Sequence, residues 1–371
     1  MKPIRILQIV GGMNMGGIEN FLMNIYRNLD RERVQFDFFI HNDVDAIFED
    51  EIRELGGKVF KILHVTKSGH KKYVENIREF FKNHKEYKVI HCHRDELNGL
   101  VLKIAKEEGI KVRISHSHNA YPKYNSFIGK LYKNYYLSKI NRYATEKYAC
   151  SKIAGEWMYG KRTSFEVIKN GIEVKKYLYN EDIRKIKRQE LELNEKDIVI
   201  GHIGRFVLQK NHMFLLEIFR KLVDRNKEYK LLLIGNGELE KEVINKIEEL
   251  KLEENVKVLG VRKDVNEILQ AMDMFLLPSF HEGLPVTLVE AQGAGLKCFI
   301  SNTVTKEIDL ECGLTEFISL NSSSEEWAEI IDKNRVYIRK DTIESLKSHG
   351  YDMTENAKNL ENRYIELYNK V

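Results

Sequence analysis

The segment Ser279-Phe280-His281-Glu282-Gly283-Leu284-Pro285-Val286-Thr287-Leu288-Val289-Glu290-Ala291 holds the densest set of groups able to do chemistry in this chain. Pro285 suits a first helical turn, so Gly283 and Leu284 would present free N–H groups and a positive dipole end to an anion. Glu282 then lies just outside the helix and Glu290 more than one turn inside it, about 12 Å apart at 1.5 Å per residue. That separation is too wide for an acid/base pair on one glycosidic bond. It suits two hydroxyl-rich groups flanking a diphosphate, whereas either carboxylate alone would read as a capping acid or a solvent-facing helix residue.

Three further segments carry groups of the same kind. Gly201-His202-Ile203-Gly204-Arg205-Phe206 leads through Gln209-Lys210-Asn211-His212 into a helical pattern, and Arg205 with Lys210 offers a guanidinium fork and a point charge for a leaving diphosphate. Gly11-Gly12-Met13-Asn14-Met15-Gly16-Gly17 ends an apolar run and opens a helix, where glycines let amides approach an anion. Ile234-Gly235-Asn236-Gly237-Glu238 resembles a dinucleotide turn, but Glu240 stands at its third glycine position. A carboxylate there disfavours a pyrophosphate and hence a nicotinamide enzyme.

Two patterns point elsewhere. His91 with His93 and His116 with His118 fall on neighbouring strand ends, where residues i and i+2 share a face, as a metal-dependent hydrolase would need. No HExxH or comparable element supplies the further ligand of a catalytic zinc, so histidines satisfied within the fold are the preferred reading. Asp43-Val44-Asp45 has the form of a metal-binding DxD, but its place before a helix at Ile47 to Leu55 favours a cap.

The elements that position these groups alternate. Short β-branched runs at Ile4 to Val10, Gln35 to His41, Lys58 to Leu63, Lys88 to His93 and Lys111 to His116 are each followed by a helical pattern. The scheme repeats at Ile198 to Ile203, Tyr229 to Ile234, Asn255 to Leu259, Met274 to Pro278 and Lys297 to Ser301. This predicts an α/β protein of two Rossmann-like domains facing each other across a cleft, with ligands outside the carboxyl ends of the strands. A strand-like Glu166 to Lys169 runs into the turn Asn170-Gly171-Ile172 near the junction, and the domains are set at 1–178 and 179–352.

With 371 residues, 43% of them hydrophobic, the chain can bury two cores. Four cysteines, at 92, 150, 298 and 312, form no CxxC pair and suggest a reduced, cytoplasmic protein. The longest uncharged stretch, Ile6 to Ile18, is glycine-broken and shorter than the roughly 18 residues of a membrane span, and no secretory signal is expected. Residues 1–180 hold 32 Lys+Arg against 21 Asp+Glu, and the remainder 28 against 35. Much of the excess lies in Lys111 to Lys152, where nine basic residues meet one acid among Tyr121, Tyr124, Phe127, Tyr132, Tyr135, Tyr136, Tyr143 and Tyr148. Basic plus aromatic suggests an anionic membrane surface, with a solvated helix face as the plainer alternative. No helix-turn-helix, RNP or zinc-finger pattern accompanies the charge, so nucleic acid is not an expected partner.

Together these segments resemble the retaining, nucleotide-sugar-dependent glycosyltransferases of family 4, with the GT-B fold, and among them the bacterial members that build exopolysaccharide or capsule. The likeness rests on Glu282-x7-Glu290 within EGLPVTLVEAQGAG, GRF and QKN upstream, NGI at the junction and GGMNMGGIEN near the amino end. It implies transfer of a hexose-type sugar from a nucleotide sugar, expected to be a UDP-sugar, to a growing, lipid-linked glycan at the inner face of the plasma membrane, without metal or other cofactor. It implies that Glu290 binds the ribose, Glu282, Gly283 and Leu284 the donor sugar, and Arg205 with Lys210 the diphosphate, with Gly235 and Val261 also at the donor. Gly16 and Gly17 would lie against donor and acceptor, His118 at the sugar's reactive face, and a final helix at Met353 to Tyr368 would cross back to the first domain, extending it by about 353–371. His281 stands where an aromatic is common and Asn302 where an acid is frequent, so the sugar's identity is not implied. A metal-dependent hydrolase built on the four histidines and a non-catalytic two-lobed sugar-binding protein are the rival readings.

Overall fold

The computed structural model describes residues 2–14, 16–119 and 126–371. Met1, Met15 of the glycine-rich turn, and Tyr121, Lys123 and Tyr124 of the basic stretch lie outside the described residues. The chain forms two compact units, Met1–Gly171 with Met353–Val371, and Ile172–Asp352.

The first unit is built on seven strands: β1 (Ile4–Val10), β2 (Val34–Ile40), β3 (Val59–Lys61), β4 (Val89–Cys92), β5 (Val112–Ser117), β6 (Glu146–Ala149) and β7 (Glu166–Val167). They pair in parallel in the order β3-β2-β1-β4-β5-β6-β7. The second unit repeats the plan with β8 (Ile198–Ile203), β9 (Tyr229–Ile234), β10 (Val256–Val258), β11 (Met274–Leu277), β12 (Lys297–Ser301) and β13 (Thr315–Ile318), ordered β10-β9-β8-β11-β12-β13. Both are doubly wound α/β sheets. In each, the strand order reverses at one place, between β1 and β4 and between β8 and β11, the place in such sheets where ligands bind outside the strand ends.

Both faces of each sheet are covered, which is why the strands read as apolar runs rather than as alternating patterns. In β1, Leu7 and Ile9 enter a cluster with Phe39, Ile77 and Leu102, while Ile6 and Val10 join Phe21, Phe36 and Tyr364 on the other face. In β11, Phe275 and Leu277 point to one core and Met274 and Leu276 to the other. Two strands that the periodicity does not reveal, β6 and β13, extend the sheets.

Two sequence expectations are corrected. Residues 172–178 pack with the second unit and not with the first: Ile172 and Val174 enter its core with Leu288 and Tyr351, and the Ile172 amide donates to the Tyr351 carbonyl at 2.8 Å. Asp43 and Asp45 cap no helix. They pair with Lys67 at 2.7 Å and Lys61 at 2.6 Å, while the helix that follows is Glu49–Glu54 with Phe48 at its N-cap.

After Asp352 the chain returns to the first unit as the helix Met353–Asn369. Its Ala357, Leu360, Tyr364 and Leu367 recur at helical spacing and enter the cluster around Phe36. Glu361 fixes its register by pairing with Arg33 at 2.6 Å and accepting the Asp30 amide at 2.9 Å. No helix among the described residues is long and apolar enough to cross a membrane.

Candidate functional site

In the second unit the loops after β8 and β11 are tied together at the strand ends. The Phe280 amide donates to the Gln209 carbonyl at 2.9 Å, and Asn211 Nδ2 to the Pro278 carbonyl at 3.1 Å. Gln209 Nε2 donates to the His281 carbonyl at 2.8 Å and to Glu282 Oε2 at 3.2 Å, and Lys210 Nζ meets Glu282 Oε1 at 2.7 Å. The Glu282 side chain is only 7% exposed, so it is a fixed member of the site rather than a loose capping acid. Asn211 begins the helix His212–Arg225 from a left-handed conformation, φ 58°, which Asn tolerates better than most residues and which turns Lys210 back over the strand end.

Arg205 differs from Lys210. It is exposed and has no ion-pair partner among the described residues, so its charge is available to an incoming anion. The neighbouring glycines have a steric cause: a Cβ on Gly235 would overlap the Gly204 carbonyl, and one on Gly237 the Phe206 backbone. The Gly235 amide donates to the Gly260 carbonyl at 2.8 Å, which brings the exposed Val261 beside the same strand ends. Gly283 and Leu284 precede the helix Val286–Gly293, with Pro285 at its N-cap, one residue earlier than the first-turn position the sequence suggests. Their amides stay outside the helix ladder as the anion-binding reading requires.

Glu290 projects from that helix, half-buried, and Tyr177 Oη donates to its Oε1 at 2.8 Å. Burial raises the Glu290 carboxyl above its ordinary range, with the Tyr177 hydrogen bond opposing. Tyr177 holds one oxygen and leaves the other able to accept. It lies 113 residues upstream of Glu290, with nothing in the local sequence to connect them.

In the first unit β1, β4 and β5 bring together Gln8, His91, His93, His116 and His118. The rings form a block, with centroids 4.1 Å apart for His91–His93 and for His116–His118, and 5.2 Å for His91–His116. Phe21, from the helix Gly17–Asn28, packs on His116 and His118 at 5.4 and 5.6 Å. Desolvation holds His91, His93 and His116 well below the usual imidazole range and pushes His118 down to about 3, so all four are neutral at pH 7. Ligand atoms of His91, His93 and His116 lie within 4.8 Å of one another, as a metal reading expects. Five of their six ring nitrogens are, however, engaged in hydrogen bonds with each other, Gln8, His118 and Tyr364. The cluster is a hydrogen-bonded core, and no carboxylate joins those three histidines among the described residues.

Asp95, which the sequence did not single out, holds the turn after β5. It accepts the His118 amide at 3.3 Å and Asn119 Nδ2 at 2.5 Å, sits at φ 47°, and is raised to about 6 by burial. A cavity of about 430 Å³ adjoins it, lined among others by Glu19, Arg94, Tyr132, Lys133 and Trp157. Gly16 caps the helix Gly17–Asn28 with extended backbone, and a Cβ there would overlap the Glu19 carboxylate, whereas Gly17 is open. The helix Phe127–Leu137 leaves Phe127, Ile128, Leu131 and Tyr135 exposed beside Lys130.

Two doubly wound parallel sheets in succession make up the GT-B architecture, and the family models that match this chain are those of glycosyltransferases. The model for Glycosyltransferase Family 4 matches residues 15–176 and that for Glycosyl transferases group 1 residues 183–334. The EpsF protein of Bacillus subtilis is 32% identical over 372 residues, 97% of this chain and 96% of its own. The capsular polysaccharide biosynthesis glycosyltransferase CapH of Staphylococcus aureus is 24% identical over 98% of this chain and 99% of its own. The crystal structure of Anabaena HepE in complex with UDP superposes with a TM-score of 0.71 at 20% identity, covering 98% of this chain and 95% of that one. The chain belongs to glycosyltransferase family 4.

Proposed function

We propose that this glycosyltransferase moves a hexose-type sugar from a UDP-sugar to a growing, lipid-linked glycan in surface polysaccharide synthesis, with retention at the anomeric carbon and without a metal ion. The observation that supports the donor assignment is the tied pair of loops after β8 and β11, in which Lys210 Nζ meets Glu282 Oε1 at 2.7 Å on the loop that also carries the exposed Arg205. The UDP bound to HepE and the capsular role of CapH support the reading.

In this reading Glu290 accepts hydrogen bonds from the ribose, with Gly235 and Val261 beside the nucleotide. Arg205 and Lys210 neutralise the diphosphate, taking the part a divalent ion plays elsewhere. Glu282 and the amides of Gly283 and Leu284 bind sugar hydroxyls, while His118, with Gly16 and Gly17, serves the sugar and acceptor. The bond from the anomeric carbon to the diphosphate oxygen breaks, the acceptor oxygen bonds that carbon on the same face, and the acceptor proton passes to the departing diphosphate. The protein contributes charge stabilisation and positioning. Exposed apolar side chains beside lysines on the helix Phe127–Leu137 suit peripheral contact with the anionic inner face of the plasma membrane, where a lipid-linked acceptor resides.

A nucleotide-sugar panel tests the donor: the true donor at one hundred times its dissociation constant stabilises by about 2.7 kcal/mol. Turnover with a lipid-linked acceptor, followed by anomeric NMR of the product, tests the rest. An inverted anomer, or turnover abolished by EDTA and restored by Mg²⁺ or Mn²⁺, overturns the corresponding part.

A further inference from the structure

The histidine block of the first unit is threaded by a hydrogen-bond chain with a single direction. The carbonyl oxygen of buried Gln8 only accepts, so His93 Nε2, 2.9 Å away, carries a proton and donates to it. In a neutral ring His93 Nδ1 is then a lone pair, and His118 Nε2, 2.7 Å from it, must donate. On the other side Gln8 Nε2 donates to Tyr364 Oη at 3.2 Å, and Tyr364 gives its one proton to His91 Nδ1 at 2.6 Å. His91 Nε2 then donates to His116 Nδ1 at 3.2 Å, and the chain stops at His116 Nε2, buried without a partner. Every link follows from the orientation of one amide, whose Oε1 faces His93 Nε2 and whose Nε2 faces Tyr364 Oη on the returning helix.

We propose that Gln8 and Tyr364 are positioning residues that hold His118 in the tautomer protonated on Nε2, so that its Nδ1 lone pair is presented to accept a hydrogen bond from a donor-sugar hydroxyl. The proposal rests on the reading of His118 as a sugar-facing residue. His118 Nδ1 has no partner among the described residues, and the residue is half-buried where the ring block ends. A ring of the other tautomer would offer an N–H at that place and would reverse which hydroxyl geometry it accommodates. The returning helix thereby acquires a chemical task besides packing: its Tyr364 sets the proton on a residue three hydrogen bonds away, through Gln8 and His93.

Long-range ¹H–¹⁵N spectra of the full chain labelled with ¹⁵N-histidine read the tautomer directly, with His118 assigned by the signal lost in His118→Ala. The wild type should show His118 as the Nε2–H form. Tyr364→Phe and Gln8→Met should each mix the two tautomers and lower kcat roughly tenfold, the value of one neutral hydrogen bond, while KM for the nucleotide sugar stays within about twofold. An Nδ1–H wild-type signal overturns the proposal and needs no variant, and so do variants that keep both the spectrum and kcat. Normal turnover by His118→Ala overturns instead the reading of His118, whatever the tautomer.

Discussion

The two sheets share a strand order, yet the groups gathered where that order reverses differ in kind. At β8 and β11 the groups are charged and partly open: Lys210 and Glu282 pair at 2.7 Å, and Arg205 stands exposed. At β1, β4 and β5 the buried groups are neutral rings, closed against one another and against Tyr364, and the charged Arg94 and Asp95 follow only in the turn beyond β4. In the proposed reaction, charge at a strand end would meet a diphosphate whose own charge grows as the sugar departs. Neutral donors and acceptors, by contrast, discriminate hydroxyl geometry without attracting free anions. One fold written twice thus carries an ion pair at one strand end and neutral rings at the other, by changing the burial and ionisation of the residues at one place in each copy.

Acid should separate the two units most strongly. Burial pushes six histidines of the first unit down, His41, His64, His91, His93, His116 and His118, against His202 and His212 in the second. A histidine depressed in the fold is protonated first in the unfolded chain. Stability is therefore full above the unfolded value near pH 6.5 and falls as pH drops below it, by up to about 1.36 kcal/mol per pH unit for each group. Urea melts from pH 7.5 to 5, followed by amide exchange, should show the first unit opening before the second. Equal acid sensitivity in both units would show that the buried histidines of the first unit do not govern its stability.

Next in size is Arg205→Ala. The residue is exposed, so the fold should survive, and loss of one preorganised charge at the leaving group should lower kcat about 10²- to 10³-fold. A loss of only a few-fold in a steady-state assay places the diphosphate elsewhere. A smaller effect concerns the membrane face. Changing Lys130 and Lys139 to Gln should weaken binding to anionic vesicles by about 1 kcal/mol for each lysine near the surface. Salt should do the same to the wild type, because the Debye length falls from about 10 Å at 0.1 M to about 3 Å at 1 M. Equal cosedimentation with neutral vesicles discards that surface. Tyr177→Phe, which removes one hydrogen bond to Glu290, should weaken nucleotide affinity least, by about 1 kcal/mol in calorimetry.

Much of the second unit was legible in the sequence because its signals are local. β8, β9 and β12 lie where the apolar runs place them, and Glu282, Gly283, Leu284 and Glu290 sit within one nine-residue segment. What was not legible depends on distance or on masking by charge. β6 begins Glu146-Lys147 inside the basic, tyrosine-rich stretch, which draws attention to a surface and hides a strand. β13 is four residues long with a glutamate in it. Tyr177, Gln209 and Tyr364 find their partners 113, 73 and 273 residues away, and no spacing rule reaches that far. The histidines were noticed as two pairs sharing a face, but that their nitrogens bond to one another depends on β4 and β5 being neighbours in register, His91 beside Ile114.

In the proposed function the strand ends of the second unit bind the nucleoside diphosphate of the donor, with Glu290 on the ribose. Calorimetric titration of UDP into the wild type and into Glu290→Ala, each checked for an intact fold, tests it most directly. Removal of the carboxylate should weaken UDP by about 1.5 to 3 kcal/mol, tenfold or more in Kd. Equal affinity for UDP in the folded variant would overturn the ribose assignment, and a wild type that binds no nucleoside diphosphate would overturn the donor site itself.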